Sequence, residues 1–359
     1  NCAVGRNTML ELTTGNYNAA FGAYAMQNST TGNSNTAIGY AAQSGGITTG
    51  SSNTSVGASA GNSITTGHSN VAVGANALNS NTTAYGQVAV GKNAGSSLTT
   101  GEQNTAVGDG ALQNCTTGKV NTCVGRSTGQ AVTTAHFNTF VGGDSGRVCT
   151  TGASNTGLGN DALYDLTTGN YNVCLGGGRF GEVNGAGGDI TTGSNNVCVG
   201  NRAGTSSSPS GSITTGGNNV VLGDNSITNL YCADTSISSS DARDKTDVND
   251  FTKGLDWIKA LRPVTYRWDR RTWYGTKTEP YGTPDGSKKR DRLHLGFIAQ
   301  EALAVEQANG YGHNNDDSLI LNLTDDGMSY GMKYERLVPV LVNAIKELSA
   351  KNEALEARI

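Results

Sequence analysis

The chain has 359 residues, of which 51 are glycine and 7 cysteine, with 15% charged residues and a formal net charge of −4. That length allows two or three folded units. The acidic balance offers no basic face to nucleic acid or an anionic membrane, and no run of 18 or more apolar residues would cross a bilayer. The charge is unevenly placed: residues 1 to 240 hold 7 Lys+Arg and 10 Asp+Glu, whereas the last 119 residues hold 18 and 19. A domain boundary is therefore expected near Tyr231 to Ser240. The chain begins at Asn1 rather than Met, so a further anchoring part is expected to precede it.

Residues 1–230 are repetitive. A motif of the form Asn-x-Ala-Val-Gly ends at Gly5, Gly22, Gly39, Gly57, Gly74, Gly91, Gly108, Gly125, Gly142, Gly159, Gly176, Gly200 and Gly223. Nine of the twelve spacings are 17, one is 18 and the last two are 24 and 23. Thr-Thr-Gly lies between most motifs, as at Gly15, Gly67, Gly101 and Gly193. A unit of 17 residues cannot bury a core by itself, so the units must stack as coils of a β-solenoid shaft. At about 4.8 Å per layer, twelve coils make a rod roughly 58 Å tall. The residue before the motif glycine is always apolar (Val4, Phe21, Ile38, Val90) and is expected to face the core. The residue before that is usually small (Ala20, Ala37, Ala89) and is expected to meet a second subunit.

Asparagine recurs four residues before the motif glycine in twelve of thirteen copies, with Gln87 the exception. A ladder of stacked amides bonded to one another and to turn backbone accounts for it without a ligand. Cys123, Cys174 and Cys198 take the small slot of the motif, and Cys115 and Cys149 take the Leu/Ile position before Thr-Thr-Gly. They read as small buried hydrophobes, reduced and binding no metal. No metal or other cofactor is expected. The two long repeats insert residues at one corner of adjacent coils. Arg179, Phe180, Glu182, Asn184 and Asp189 bring charge and an aromatic ring there, forming a candidate receptor-binding loop.

Residues 231–239 read as a linker, and 240–359 as a small α+β domain. Leu255, Ile258 and Leu261 follow helical spacing, Pro263 ends that helix, and Val264 to Trp268 reads as a strand. Two short strands are expected within 318–334. In the last segment, 334–359, Leu341, Ile345, Leu348, Asn352, Leu355 and Ile359 alternate spacings of four and three, a coiled-coil seam.

Four blocks carry a family resemblance: Ser240-Asp241 with Arg243 and Lys245, then GLDWIKALRPVTYRW at 254–268, LGFIAQE at 295–301 and YERLVPVLVNAIKEL at 334–348. In this order they resemble the intramolecular chaperone domain of endosialidases, the peptidase-like C-terminal module of phage tail fibres and tailspikes, related to a domain of myelin regulatory factor. The resemblance implies self-cleavage of the Ser239–Ser240 bond, with Ser240 as nucleophile, Lys245 as its base, and Asp241 and His294 as accessory candidates. A lysine serves as base only when burial lowers its pKa. The shaft repeats resemble the head repeats of trimeric autotransporter adhesins. Together the resemblances imply a homotrimeric virion fibre, assembled in the host bacterial cytoplasm, that attaches to a cell-surface glycan or receptor without membrane insertion. A polysaccharide depolymerase and a bacterial trimeric surface adhesin are the alternatives.

Overall fold

The computed structural model describes residues 1–178, 185–227, 243, 245–275, 279, 281–323 and 330–358. The chain divides into two compact units, Asn1–Thr228 with Gly275–Gly282, and Asn229–Tyr274 with Thr283–Ile359. Among the described residues no helix is long and apolar enough to cross a membrane.

The first unit is a parallel β-solenoid. Thirteen three-residue strands, β1 (Cys2–Val4) to β13 (Val220–Leu222), follow one another in a single sheet in sequence order. Each is the apolar end of one repeat motif, paired in register with the next, as Val88↔Thr105, Ala89↔Ala106 and Val90↔Val107. The 17-residue period sets this register, since a slip of one residue would exchange the two faces of every strand. The remainder of each coil is turns, and these also bond from coil to coil. The first threonine of Thr-Thr-Gly donates twice to one carbonyl of the next coil. Thr99 reaches the Thr116 oxygen with its N–H (3.0 Å) and its Oγ1 (3.1 Å), and Thr116 reaches Thr133 in the same way.

The asparagine ladder forms as expected. The backbone N–H and the side-chain Nδ2 of Asn121 both donate to Asn104 Oδ1 at 3.0 Å, and Nδ2 also donates to the Ala135 carbonyl at 2.8 Å. Most of the amides thus bind the neighbouring coil and a turn carbonyl further along the chain, 14 residues on for Asn121, which satisfies buried polar groups that would otherwise be costly. Gln87 keeps the chain of contacts unbroken, accepting from Asn104 N–H at 3.1 Å and donating to the Gly101 carbonyl. The motif glycines are required by a close approach: at Gly125, φ is +135° and a Cβ would lie 2.5 Å from the Gly142 carbonyl oxygen.

One expectation is reversed. The small residues of the motif point into the coil and the bulky ones point out: Ala20 is 0% exposed while Phe21 beside it is 41% exposed, and Val4, Ile38, Val90, Val141, Leu158 and Leu222 follow Phe21. The physical reason is the width of the coil. Its interior is already filled from the opposite turns by Ile64, Leu98, Leu112, Leu163, Leu166 and Ile190, so that the slot under the sheet in most coils takes only a small side chain. Cys115, Cys123, Cys149, Cys174 and Cys198 are accordingly buried and free. Burial pushes the Cys115 and Cys149 thiols up to about 12, so they stay protonated and inert. The 18-residue coil absorbs its extra residue by turning Ile47 out to solvent. Thr48 goes inside instead, where its hydroxyl donates to the Ile64 carbonyl at 2.8 Å.

The second unit is a small α/β domain built on Trp257. Helix α1 (Leu255–Ala260) ends before Pro263 and leads into β14 (Val264–Tyr266), which pairs antiparallel with β15 (His294–Gly296). A helix not read from the pattern, α2 (Ala299–Ala308), follows, then the hairpin β16 (Leu321–Leu323) and β17 (Tyr330–Met332), and finally α3 (Leu337–Glu356). Trp257, Leu261, Ala302, Ile320, Leu321, Leu337 and Val340 form the core. Polar contacts fix α3 to the start of α1 and the segment before it: Asn343 Nδ2 donates to the Phe251 carbonyl, and Glu347 Oε2 accepts the Leu255 N–H at 3.2 Å. The Glu306 carboxylate, fully buried on α2, accepts from Ser318 Oγ (2.8 Å) and Ile320 N–H and so holds the strand entry.

Candidate functional site

The proposed scissile segment precedes α1. Ser239, Ser240 and Asp241 lie outside the described residues. Lys245 is described, in an exposed stretch without regular structure that runs to Asp250. His294 stands in β15 opposite Tyr266 of β14, its ring stacked on the tyrosine at 5.6 Å and edge-on to Trp268 at 6.2 Å. The cluster continues through cation–π contacts, with Arg270 over Trp268 at 4.2 Å and Arg290 over Trp273 at 5.1 Å. Burial raises the Tyr266 phenol above its ordinary value and lowers the Arg270 guanidinium. These rings and cations pack Tyr266, Trp268, Arg270, Trp273, Arg290 and His294 together, and they give His294 two aromatic neighbours.

On the shaft, Arg179, Phe180, Glu182 and Asn184 lie outside the described residues. Asp189 is buried, and its Oδ2 accepts from Ser206 N–H at 3.0 Å and Ser212 Oγ at 2.7 Å. It therefore ties the first insertion to the second, and its carboxylate is engaged within the shaft. Among the described residues no group of three or more His, Cys, Asp or Glu is placed to hold an ion.

Two apolar surfaces stay uncovered among the described residues. One is the outward column of the solenoid, from Val4 to Leu222. The other lies on α3, which packs Leu337, Val340 and Ala344 against its own domain while Val338, Leu341, Ile345, Leu348 and Leu355 remain exposed. The exposed set repeats at three and four residues, the seam read from the sequence. Ile359 lies outside the described residues.

A scan against family models matches residues 240–311 to the chaperone of endosialidase family. The C-terminal unit carries a chaperone of endosialidase domain. The match starts at Ser240 itself and takes in the first three sequence blocks, ending before the fourth, which is α3. A chaperone of endosialidase domain following a solenoid of 17-residue repeats fits a tail fibre or tailspike-like protein. No curated protein and no solved structure matches the chain. What sequence reasoning missed is the outward orientation of the apolar column. Period-two alternation separates the two faces of a strand without saying which one is inside.

Proposed function

We propose that the chain is the shaft and folding module of a homotrimeric phage tail fibre or tailspike, which attaches the virion to a glycan or receptor on its bacterial host. The observation that carries this reading is the chaperone of endosialidase domain standing behind a solenoid whose outer strand face is apolar along its length. The C-terminal domain gathers three chains, with the α3 seams as a clamp, and the shafts then bury their outward columns against one another. Assembly takes place in the host cytoplasm. When it is complete the chaperone is removed by a cut before Ser240.

In that cut, the Ser240 hydroxyl gives its proton to the Lys245 amine and adds to the Ser239 carbonyl carbon. The C–N bond breaks as the proton passes to the Ser240 nitrogen. Water then hydrolyses the resulting ester, leaving a carboxylate on Ser239 and a free amine on Ser240. Lys245 is exposed in the single chain, whereas a lysine base has to be desolvated. This reading therefore makes cleavage follow assembly, with neighbouring copies supplying the burial.

Mass spectrometry of the purified protein tests it. Wild type is expected as fragments of 239 and 120 residues, while Ser240→Ala and Lys245→Ala are each expected as one intact chain of 359. Normal cleavage in both variants would remove the serine–lysine assignment.

A further inference from the structure

Each coil turns the corner between Thr-Thr-Gly and the next motif through one residue in the left-handed region. At Ser34, Ser52, Ser69, Gly86, Ser154, Asn195 and Asn218 that residue is small or polar, with φ between 56° and 66°. Such residues tolerate the conformation, whereas rings and β-branched side chains avoid it. Gln103 (φ 57°) is longer but also polar, yet Tyr17 (φ 59°), Val120 (φ 55°), Phe137 (φ 61°) and Tyr171 (φ 59°) occupy the same corner. On the turns facing the strands, Met26, Leu78, Leu112 and Leu163 are left-handed too but fully buried and compensated by packing, whereas Tyr17, far from Phe137 near the start of the shaft, is 83% exposed. Phe137 and Tyr171 are 61% and 66% exposed, and Val120 is also exposed. Neither local preference nor core packing explains them. Strain retained at exposed bulky side chains points to function.

The surroundings define what would bind. Successive coils are one layer apart, so Phe137 and Tyr171 are two layers, or about 10 Å, from each other along the stack, with Ser154 between them. The adjoining column holds Lys119, His136, Ala153 and Asn170. Lys119 is paired with Glu102 at 3.2 Å, and its N–H donates to His136 Nδ1 at 2.9 Å, beside which the Phe137 ring lies at 6.0 Å. Asn170 accepts the Ala153 N–H at 2.8 Å. The edge thus has two open rings, neutral hydrogen-bonding groups and no net charge, which suits a ligand with apolar flat faces and many hydroxyls and gives no grip on a polyanion.

We propose that this corner, centred on Phe137 and Tyr171 with Val120 beside them, binds an uncharged glycan chain lying along the shaft. Alternate sugar rings stack on the two aromatic rings, and Ser154 and Asn170 meet hydroxyls between them. The proposal rests on the host-attachment reading and gives that reading a site built from residues other than those of the inserted loop.

The test compares the full chain with its Phe137→Ser/Tyr171→Ser double variant on an array of purified bacterial surface polysaccharides, neutral and acidic. Serine is the residue other coils use at this corner, so the variant is expected to fold with an unchanged or slightly higher Tm and the same size by light scattering. Wild type is expected to bind at least one neutral polysaccharide, and the variant at least tenfold more weakly. Equal binding by both, binding to acidic polymers alone, or no binding at all would overturn the proposal. So would a smaller particle in the variant, which would assign the rings to a contact between copies. Adsorption to host cells is measured beside the array. Adsorption that survives the double substitution removes this edge and leaves host attachment standing, whereas wild type that adsorbs to no host counts against attachment itself.

Discussion

Phe140 and Gly146 show how a narrow coil holds its volume constant. Phe140 fills the slot under the sheet that alanine usually takes, and a Cβ at Gly146, on the facing turn, would lie 2.6 Å from its ring. The same exchange recurs along the shaft. Coils with Ala20, Ala72, Ala106 or Gly157 in the slot carry Met26, Leu78, Leu112 or Leu163 on the turn, whereas those with Ser55, Cys123, Cys174 or Cys198 carry Gly61, Gly129, Gly187 or Gly204. Ala89 with Gly95 departs from it, and there Leu98 and Leu78 close on the glycine. Gly146→Leu alone is expected to cost about 2–4 kcal/mol through the clash and the left-handed φ. Phe140→Ala is expected to cost about 3–5 kcal/mol through the cavity. Phe140→Gly with Gly146→Leu reproduces the Gly157/Leu163 coil and is expected within about 1 kcal/mol of wild type, a strong coupling readable in denaturant melts. Additive losses would show that the two positions do not share one space. The asparagine ladder was legible in the sequence because it repeats at one position. This pairing was not, since neither column is constant and only their sum is.

Helix α3 serves two surfaces. Leu337, Val340 and Ala344 face the domain, and Asn343 and Glu347 hold the chain around α1. Leu341, Ile345, Leu348 and Leu355 form the second stripe, which the sequence announced by its spacing and the single chain leaves open. Leu348→Glu with Leu355→Glu should leave the domain folded, because both residues point away from Trp257 and its neighbours. The expected result is a several-fold lower yield of trimer by light scattering and, on the proposal that cleavage waits for assembly, a matching rise in uncleaved chain by mass. An unchanged yield of both would show that α3 is not the clamp. The elements read most easily here were those with hard boundaries, such as Pro263 after α1 and the heptad of α3. Helix α2 escaped because AQEALAVEQA combines good helix formers with a weak apolar stripe, and its anchor, the buried Glu306 carboxylate, is a charge where a pattern search expects an apolar residue. Arg262 and Glu301 form an exposed ion pair that draws the Glu301 carboxyl below its ordinary range. Its exposure makes it a minor contributor.

At the scale of the whole molecule, the repeat predicted a stack and the stack formed, but a one-chain view of hydrophobicity chose the wrong face. The apolar column from Val4 to Leu222 runs the length of the shaft, and a continuous stripe of that kind on a folded unit is an interaction surface. Two substitutions one residue apart separate its role from that of the core. Ala89→Lys puts an ammonium into a dry coil and is expected to cost more than about 4 kcal/mol and to abolish folding of the shaft. Val90→Lys with Val141→Lys changes only the outer face, so each coil is expected to form with its stability within about 0.5 kcal/mol per site. Three such chains, however, would bring like charges together where the valines meet. Light scattering on the cleaved shaft is expected to give three chains for wild type and one for the Val90→Lys/Val141→Lys variant. The proposed cleavage adds a second signature, because it would remove the folding domain once the shaft is complete. After full denaturation, the uncleaved Ser240→Ala protein should recover its trimer and the cleaved wild-type shaft should not. A trimer that persists with lysines at 90 and 141 would move the subunit contact to another face. Recovery of the cleaved shaft on its own would show that the solenoid assembles without the C-terminal domain.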